Sequence, residues 1–282
     1  MLGLWHKSPS FAFARRAAGE GLGDERKRGE DVSGRWDRQS LARAWGRVLL
    51  PPEDAYGRGR VSERELIGFA PFRHFSVFLP FAFGGEADEP VLVLELRASS
   101  LRSQPQEIAF PGGKVEEGDP SYLAAAVRET AEELGVSPEA VRPWGKLGTL
   151  ATPYAYAVHA YVGELAELPH RPNPAEVDRL LFVPWSEVLA APTERYPFEV
   201  EFRPRGAFPY ARLPGGEAYP FRRAEMQGVA YELGGAFVWG LTARLLEVLV
   251  ARWHEARSAL PSFPLEAGFR TGSSARVEKL FG

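Results

Sequence analysis

A glycine pair, Gly112-Gly113, leads into a helix-forming run that a third glycine, Gly135, stops. Between them lies Tyr-Leu-Ala-Ala-Ala-Val-Arg-Glu-Thr-Ala-Glu-Glu-Leu, residues 122–134. Asp119 fits an N-cap, Pro120 the first helical position and Gly135 the position just past the end. At about 100° per residue, Leu123, Val127, Thr130, Ala131 and Leu134 share one arc. Glu129, Glu132 and Glu133 fall on the other side, with Glu129 and Glu133 as i,i+4 neighbours. A solvated helix face would intersperse lysines among such acids, whereas only Arg128 is near. Carboxylates crowded this way suit hard divalent cations such as Mg²⁺ or Mn²⁺; the alternative is a plain acidic face in water.

Composition narrows the remaining choices. At 282 residues, 45% hydrophobic and 25% charged, the chain can build one sizeable core with extensions, or two small domains. A net charge of −3 offers no overall basic footprint for nucleic acid, which is not an expected partner. The absence of cysteine excludes disulfides, thiolate metal sites and a cysteine nucleophile. His6, His74, His159, His170 and His254 lack ligand spacing and read as structural or exposed. No apolar run approaches the roughly 18–20 residues of a membrane span, so no membrane partner is expected.

In chain order, residues 1–35 have a disorder-like composition, with arginines and Phe11 and Phe13 but no signal-peptide core. Residues 36–70 read as a helix and linker, the helix carrying Leu41, Ala44, Trp45, Val48 and Leu49. Residues 74–83 and 91–97 read as a hairpin, 142–162 as two strands and 180–185 as another. A short helix is expected over 186–191, and hairpin or long-loop material over 194–227. Residues 236–250 read as an amphipathic helix with Trp239 in the core, and 254–282 as a tail.

Gly113, Arg128-Glu129, Glu132-Glu133 and Gly135-Val136 together resemble the Nudix box, in which a glycine and an acid precede Arg-Glu, Glu-Glu and a Gly-aliphatic end. Here the acid is Asp119, Arg128 comes one residue later than in the general pattern, and Thr130 replaces an aliphatic residue. The first two departures are shared by the coenzyme A pyrophosphatase-like branch. The preceding stretch resembles that branch's signature too: Arg97, Ala98, Arg102, Phe110, Pro111, Gly112 and Gly113 match in register. Glu95 stands in place of threonine, Gln106 in place of glycine, and Gln104 where histidine is common. A glycine at 106 would supply a backbone conformation or space that glutamine lacks. The resemblance runs from about residue 74 to about 252.

The resemblance implies an α/β fold, a Nudix-type α/β/α sandwich with a mixed β-sheet, over 71–253. It implies a cytoplasmic hydrolase, compatible with a homodimer, that uses Mg²⁺ or Mn²⁺ to cleave a nucleoside diphosphate-X compound. The implied substrate is coenzyme A or acyl-CoA; an ADP-ribose or dinucleotide pyrophosphatase and a non-catalytic ligand sensor are the alternatives. Glu129 and Glu133 would be metal ligands, Glu132 a third or water-mediated one, and the Gly113 carbonyl another. Arg128 would orient the glutamates. Arg97 and Arg102, with Phe110, would bind substrate, since guanidinium groups match phosphates bidentately. The base would be Glu132 or, as a second candidate, Glu176.

Overall fold

The computed structural model describes residues 38–51, 72–83, 89–201 and 203–258. The expected hairpin is β1 (Arg73–Ala82) and β2 (Val91–Arg97), antiparallel with Phe81 opposite Leu92. Both are apolar and rich in branched or aromatic residues, as strands buried on two faces require. Next come β3 (Ile108–Ala109), β4 (Gly112–Lys114), helix α2 (Tyr122–Leu134), β5 (Val141–Ala151), β6 (Tyr156–Leu165) and β7 (Val177–Pro184). These strands form a sheet of order β3-β2-β1-β6-β5, with β7 on β2 and β4 on β1. Strand β1 pairs parallel with β6 and antiparallel with β2 and β4, so the sheet is mixed. Strand β4 takes the part of β1 that β2 leaves free, at Phe75–Val77.

Alternation along the strands separates two cores. On one face, Phe78, Val93, Tyr161 and Leu165 pack against Tyr122, Leu123, Ala126 and Leu134 of α2. On the other, Leu79, Phe81, Leu92 and Leu94 meet helices α1 (Arg38–Trp45), α3 (Trp185–Ala190) and α4 (Gly240–Ser258). Trp45, Phe81, Trp185 and Trp253 interlock there, with ring centroids 5.4 Å apart for Trp45–Trp253 and 5.1 Å for Phe81–Trp185. Each buried ring contributes roughly 1.5–3 kcal/mol by burial. A smaller antiparallel sheet, β10-β9-β8, comprises β8 (Glu194–Glu201), β9 (Arg223–Leu233) and β10 (Ala236–Trp239).

The entry of α2 is fixed by rings. Tyr122 stacks on His159 of β6 at 3.6 Å between centroids, and His74 Nδ1 lies 3.0 Å from His159 Nε2. Burial first, then Lys146 and His74, hold the His159 pKa down at about 3, so the ring is neutral. His159 is thus structural, as expected.

Five expectations need correction, one being Pro120, which precedes the cap of α2 instead of opening the helix. The N-cap of α2 is Ser121, whose hydroxyl accepts from the Ala124 N–H at 3.1 Å, rather than Asp119. Asp119 is drawn away by Arg128 and by the Glu116 N–H. The C-terminal end agrees: Gly135 is left-handed and donates to Ala131. Residues 236–239 are strand β10, because pairing with β9, Trp239 opposite Ala230, outweighs their helical pattern. Trp239 is 43% exposed on that strand, whereas Trp253 of α4 joins Trp45 and Trp185 in the core. The helix continues to Ser258, so the first residues of the segment expected as a tail are helical. Residues 1–35, 52–70 and 259–282 lie outside the described residues.

Candidate metal centre

Helix α2 stands over β1 and β4 and aims its carboxylates at the Gly112-Gly113 turn. Gly112 N–H donates to Glu133 Oε2 at 2.7 Å. Gly113 lies so close to Glu129 that a Cβ there would meet the carboxylate at 2.4–2.6 Å. The glycine is needed for this approach rather than for an unusual backbone angle. A Gly113→Ala protein is therefore expected to fold, with a melting temperature within about 2 °C of the parent, because surroundings other than one side-chain tip are unchanged. Its Mn²⁺ affinity and kcat/KM should fall by about 10–100-fold, the cost of misorienting a ligand. Unchanged Mn²⁺ binding in a calorimetric titration would remove Gly113 from the site.

The acidic stripe is not a solvated face. Glu133 is only 3% exposed, and the side chain of Glu129 is 16% exposed, while that of Glu132 is 57% exposed. Burial first, then the charge of Glu95, pushes the Glu133 pKa up to about 9, against the pull of the Gly112 N–H. Glu129 is also raised, chiefly by burial, with Arg128 opposing. Arg128 reaches Asp119 Oδ2 at 2.9 Å, Glu129 Oε1 at 3.0 Å and Glu132 Oε2 at 3.3 Å. Its hydrogen bond to Asp119 lowers the Asp119 pKa and raises its own. Asp119 thus anchors the arginine, a task its place as the acid of the sequence pattern did not by itself reveal.

Two further carboxylates complete the group. Glu95 of β2 is 0% exposed, and burial pushes its pKa up to about 8, with Arg97 opposing and Glu176 and Glu129 adding to the rise. Nothing in the helix motif signals it; the signal was an acid in an otherwise apolar strand, Val-Leu-Val-Leu-Glu-Leu-Arg. Glu176 is half-buried, and its carbonyl accepts from Ala98 N–H at 2.8 Å, directly after Arg97. Glu95 thus lies within electrostatic reach of Glu129, Glu133 and Glu176, and Glu129 within reach of Glu133 and Glu176, with Glu132 at the rim.

The substrate residues divide. Arg97 sits beside the carboxylates, with Nη1 3.8 Å from Glu95 Oε1, its Nε buried without a partner and its side chain 23% exposed. Arg102 is exposed on the 98–107 loop. Phe110 does not present its ring to a ligand: it is 4% exposed and packed in the α1–α4 core, where it anchors the loop. Gln106 adopts a left-handed φ of 59°, the conformation a glycine would supply, and its Nε2 donates to the Arg97 carbonyl at 3.1 Å. That bond offsets the strain, about 1 kcal/mol against 1–2 kcal/mol.

The donor set fits Mg²⁺ or Mn²⁺: all oxygen, several carboxylates, and buried acceptors with no protein donor. Among the described residues, no three such side chains are gathered as a ready-made cage. Arg128 and the Gly112 N–H instead engage Glu129 and Glu133.

A family model for the NUDIX domain matches residues 72–205. An uncharacterized Nudix hydrolase NudL of Cronobacter sakazakii is 32% identical over 162 residues, 57% of this chain and 74% of the relative. The chain belongs to the Nudix hydrolase family. The NudL protein of Photorhabdus laumondii, also uncharacterized, is 37% identical over 125 residues, 44% of this chain and 65% of the relative's length. A MutT/nudix family protein of Enterococcus faecalis, known from its crystal structure, shares 14% identity, with a TM-score of 0.39 over 78% of this chain and 75% of that one. This Nudix hydrolase has the α/β fold with a mixed sheet and several helices, and the family's enzymes act on phosphoric anhydrides. Among the described residues, no helix is long and apolar enough to cross a membrane.

Proposed function

We propose that this Nudix hydrolase cleaves the pyrophosphate bond of coenzyme A or acyl-CoA, giving 3′,5′-ADP and 4′-phosphopantetheine or its acyl derivative. The observation that carries the reading is Arg97: a guanidinium with an unpartnered Nε beside a buried carboxylate group, at the root of a loop that keeps its left-handed turn despite Gln106. An anionic diphosphate bridging that arginine and cations held by the carboxylates satisfies both.

Glu129 and Glu133 would hold Mg²⁺ or Mn²⁺, with Glu132 and the Gly113 backbone as further ligands. Such ions neutralise the diphosphate and lower the pKa of bound water. Arg128, tied to Asp119, keeps Glu129 and Glu132 oriented. Arg97 holds a phosphate oxygen and fixes the line of attack. Glu132, exposed and oriented by Arg128, or Glu176, beside Arg97, takes the proton of the attacking water.

The test is incubation of the protein with coenzyme A and Mn²⁺ or Mg²⁺, with products identified by mass spectrometry. Formation of 3′,5′-ADP and 4′-phosphopantetheine is expected. Cleavage of ADP-ribose or diadenosine compounds instead would move the substrate to the second reading, which the glutamines at 104 and 106 favour. A thermal shift by these nucleotides without turnover of any would replace catalysis by ligand sensing.

A further inference from the structure

Strand β2 sends Leu92 and Leu94 into the α1–α4 core and Val93 into the core beneath α2. Glu95 follows Val93 by two residues and therefore shares the face of α2. It is 0% exposed, and neither of its carboxylate oxygens has a hydrogen-bond partner. The guanidinium of Arg97, at 3.8 Å, is too far for a hydrogen bond. A carboxylate removed from water and left without donors is costly, by several kcal/mol when charged. Leucine would fill this place in the strand without that cost.

What Glu95 faces explains its presence. Its charge is felt by Glu133, and those of Glu129 and Glu176 are felt by Glu95. Its strand neighbours in register are Ala109 and Leu180, whose side chains offer no donor. Arg97 brings one positive charge to 3.8 Å, but buried acceptors with Glu129, Glu133 and Glu176 around them and no hydrogen-bond donor in reach call for a further cation.

We infer that Glu95 is a further ligand of the cation site, gripping a divalent ion from the sheet side jointly with Glu133 on the helix. Because β2 lies inside the sheet, this ligand is anchored more rigidly than the exposed Glu132. An ion shared by Glu95 and Glu133 would therefore bind without nucleotide. The inference rests on the metal reading of α2 and adds a residue outside the helix motif.

The experiment is a Mn²⁺ titration of the full metal-free chain without nucleotide, following free Mn²⁺ by electron paramagnetic resonance. The parent protein, Glu95→Gln and Glu133→Gln are compared. Glu95→Gln is expected to weaken the tightest Mn²⁺ ion by about 10–100-fold or to lose it. Unchanged stoichiometry and affinity in Glu95→Gln, with loss in Glu133→Gln, overturn this inference alone. Unchanged binding in both variants overturns the metal reading of the helix as well. A second measurement needs no substitution: in crystals of the parent soaked with Mn²⁺, an anomalous peak roughly 2.0–2.2 Å from a Glu95 oxygen is the supporting result. Peaks confined to the α2 glutamates are the opposing one.

Discussion

Glu133→Gln is expected to lose about three orders of magnitude in turnover, as large as the removal of a principal electrostatic group from an active site, while melting higher than the parent in EDTA at pH 8.5. The two effects have one origin. Glu133 is buried, its pKa is pushed up to about 9, and Glu95 faces it. In the metal-free protein its charge is a liability, and a neutral amide removes it. The glutamine oxygen can still accept the Gly112 N–H, so the turn keeps its seat. With cations present, that charge is what the site needs, and the amide supplies none. Product formation under saturating Mn²⁺ and differential scanning fluorimetry in EDTA measure the two halves. Retention of a tenth of the parent activity would remove Glu133 from the ligand set.

The second large effect is the pH dependence of the metal-free fold. Glu95 and Glu133 have folded pKa values of about 8 and 9, above the 4.5 of an unburied glutamate. The native chain therefore binds more protons than the unfolded chain between these limits. Stability falls as pH rises through the window and levels off above about 9. His159 acts in the opposite sense but lower down: its folded pKa of about 3 lies below 6.5, so its contribution grows with pH and is complete by pH 7. Between pH 7 and 9 the carboxylates act alone among these groups. A loss of roughly 3–4 kcal/mol, or about 6–15 °C in melting temperature, is expected there in EDTA. Millimolar Mg²⁺ should abolish most of it, since the ions bind the deprotonated carboxylates. A melting temperature that is flat or rises from pH 7 to 9 in EDTA would contradict the burial of these two acids in the working protein.

Helix α2 was legible because its pattern is local. Gly113, Arg128, Glu129, Glu133 and Gly135 lie within one continuous stretch, and the helical period alone puts the acids together. The strands that support it were legible too, as apolar runs closed by turn residues. What stayed hidden depends on partners far along the chain. Asp119 reads as a cap until Arg128 is seen to hold it. Glu133 reads as a metal ligand from the sequence pattern, but its burial shows only once the sheet is built beneath it. Glu95 reads as a mere departure from a signature until its burial is seen. Residues 236–239 carry a helical pattern that only pairing with β9 overrides, and with them Trp239 moves to the surface. Phe110 sits in a binding signature, yet its ring serves the core.

Strand β1 has one edge divided between β2 and the short β4, so the Gly-Gly turn occupies a strand's place in the middle of the sheet. The 98–107 loop, by contrast, hangs from the end of β2 with most of its side chains in water. The buried carboxylates of α2 and the exposed side chains of the loop thus sit on separately adjustable parts of the chain. An exposed loop residue such as Arg102 can be exchanged by drift or by an engineer without disturbing the strand that seats the helix. A library confined to that loop is the natural place to seek new diphosphate substrates, while the turn and the helix are left alone.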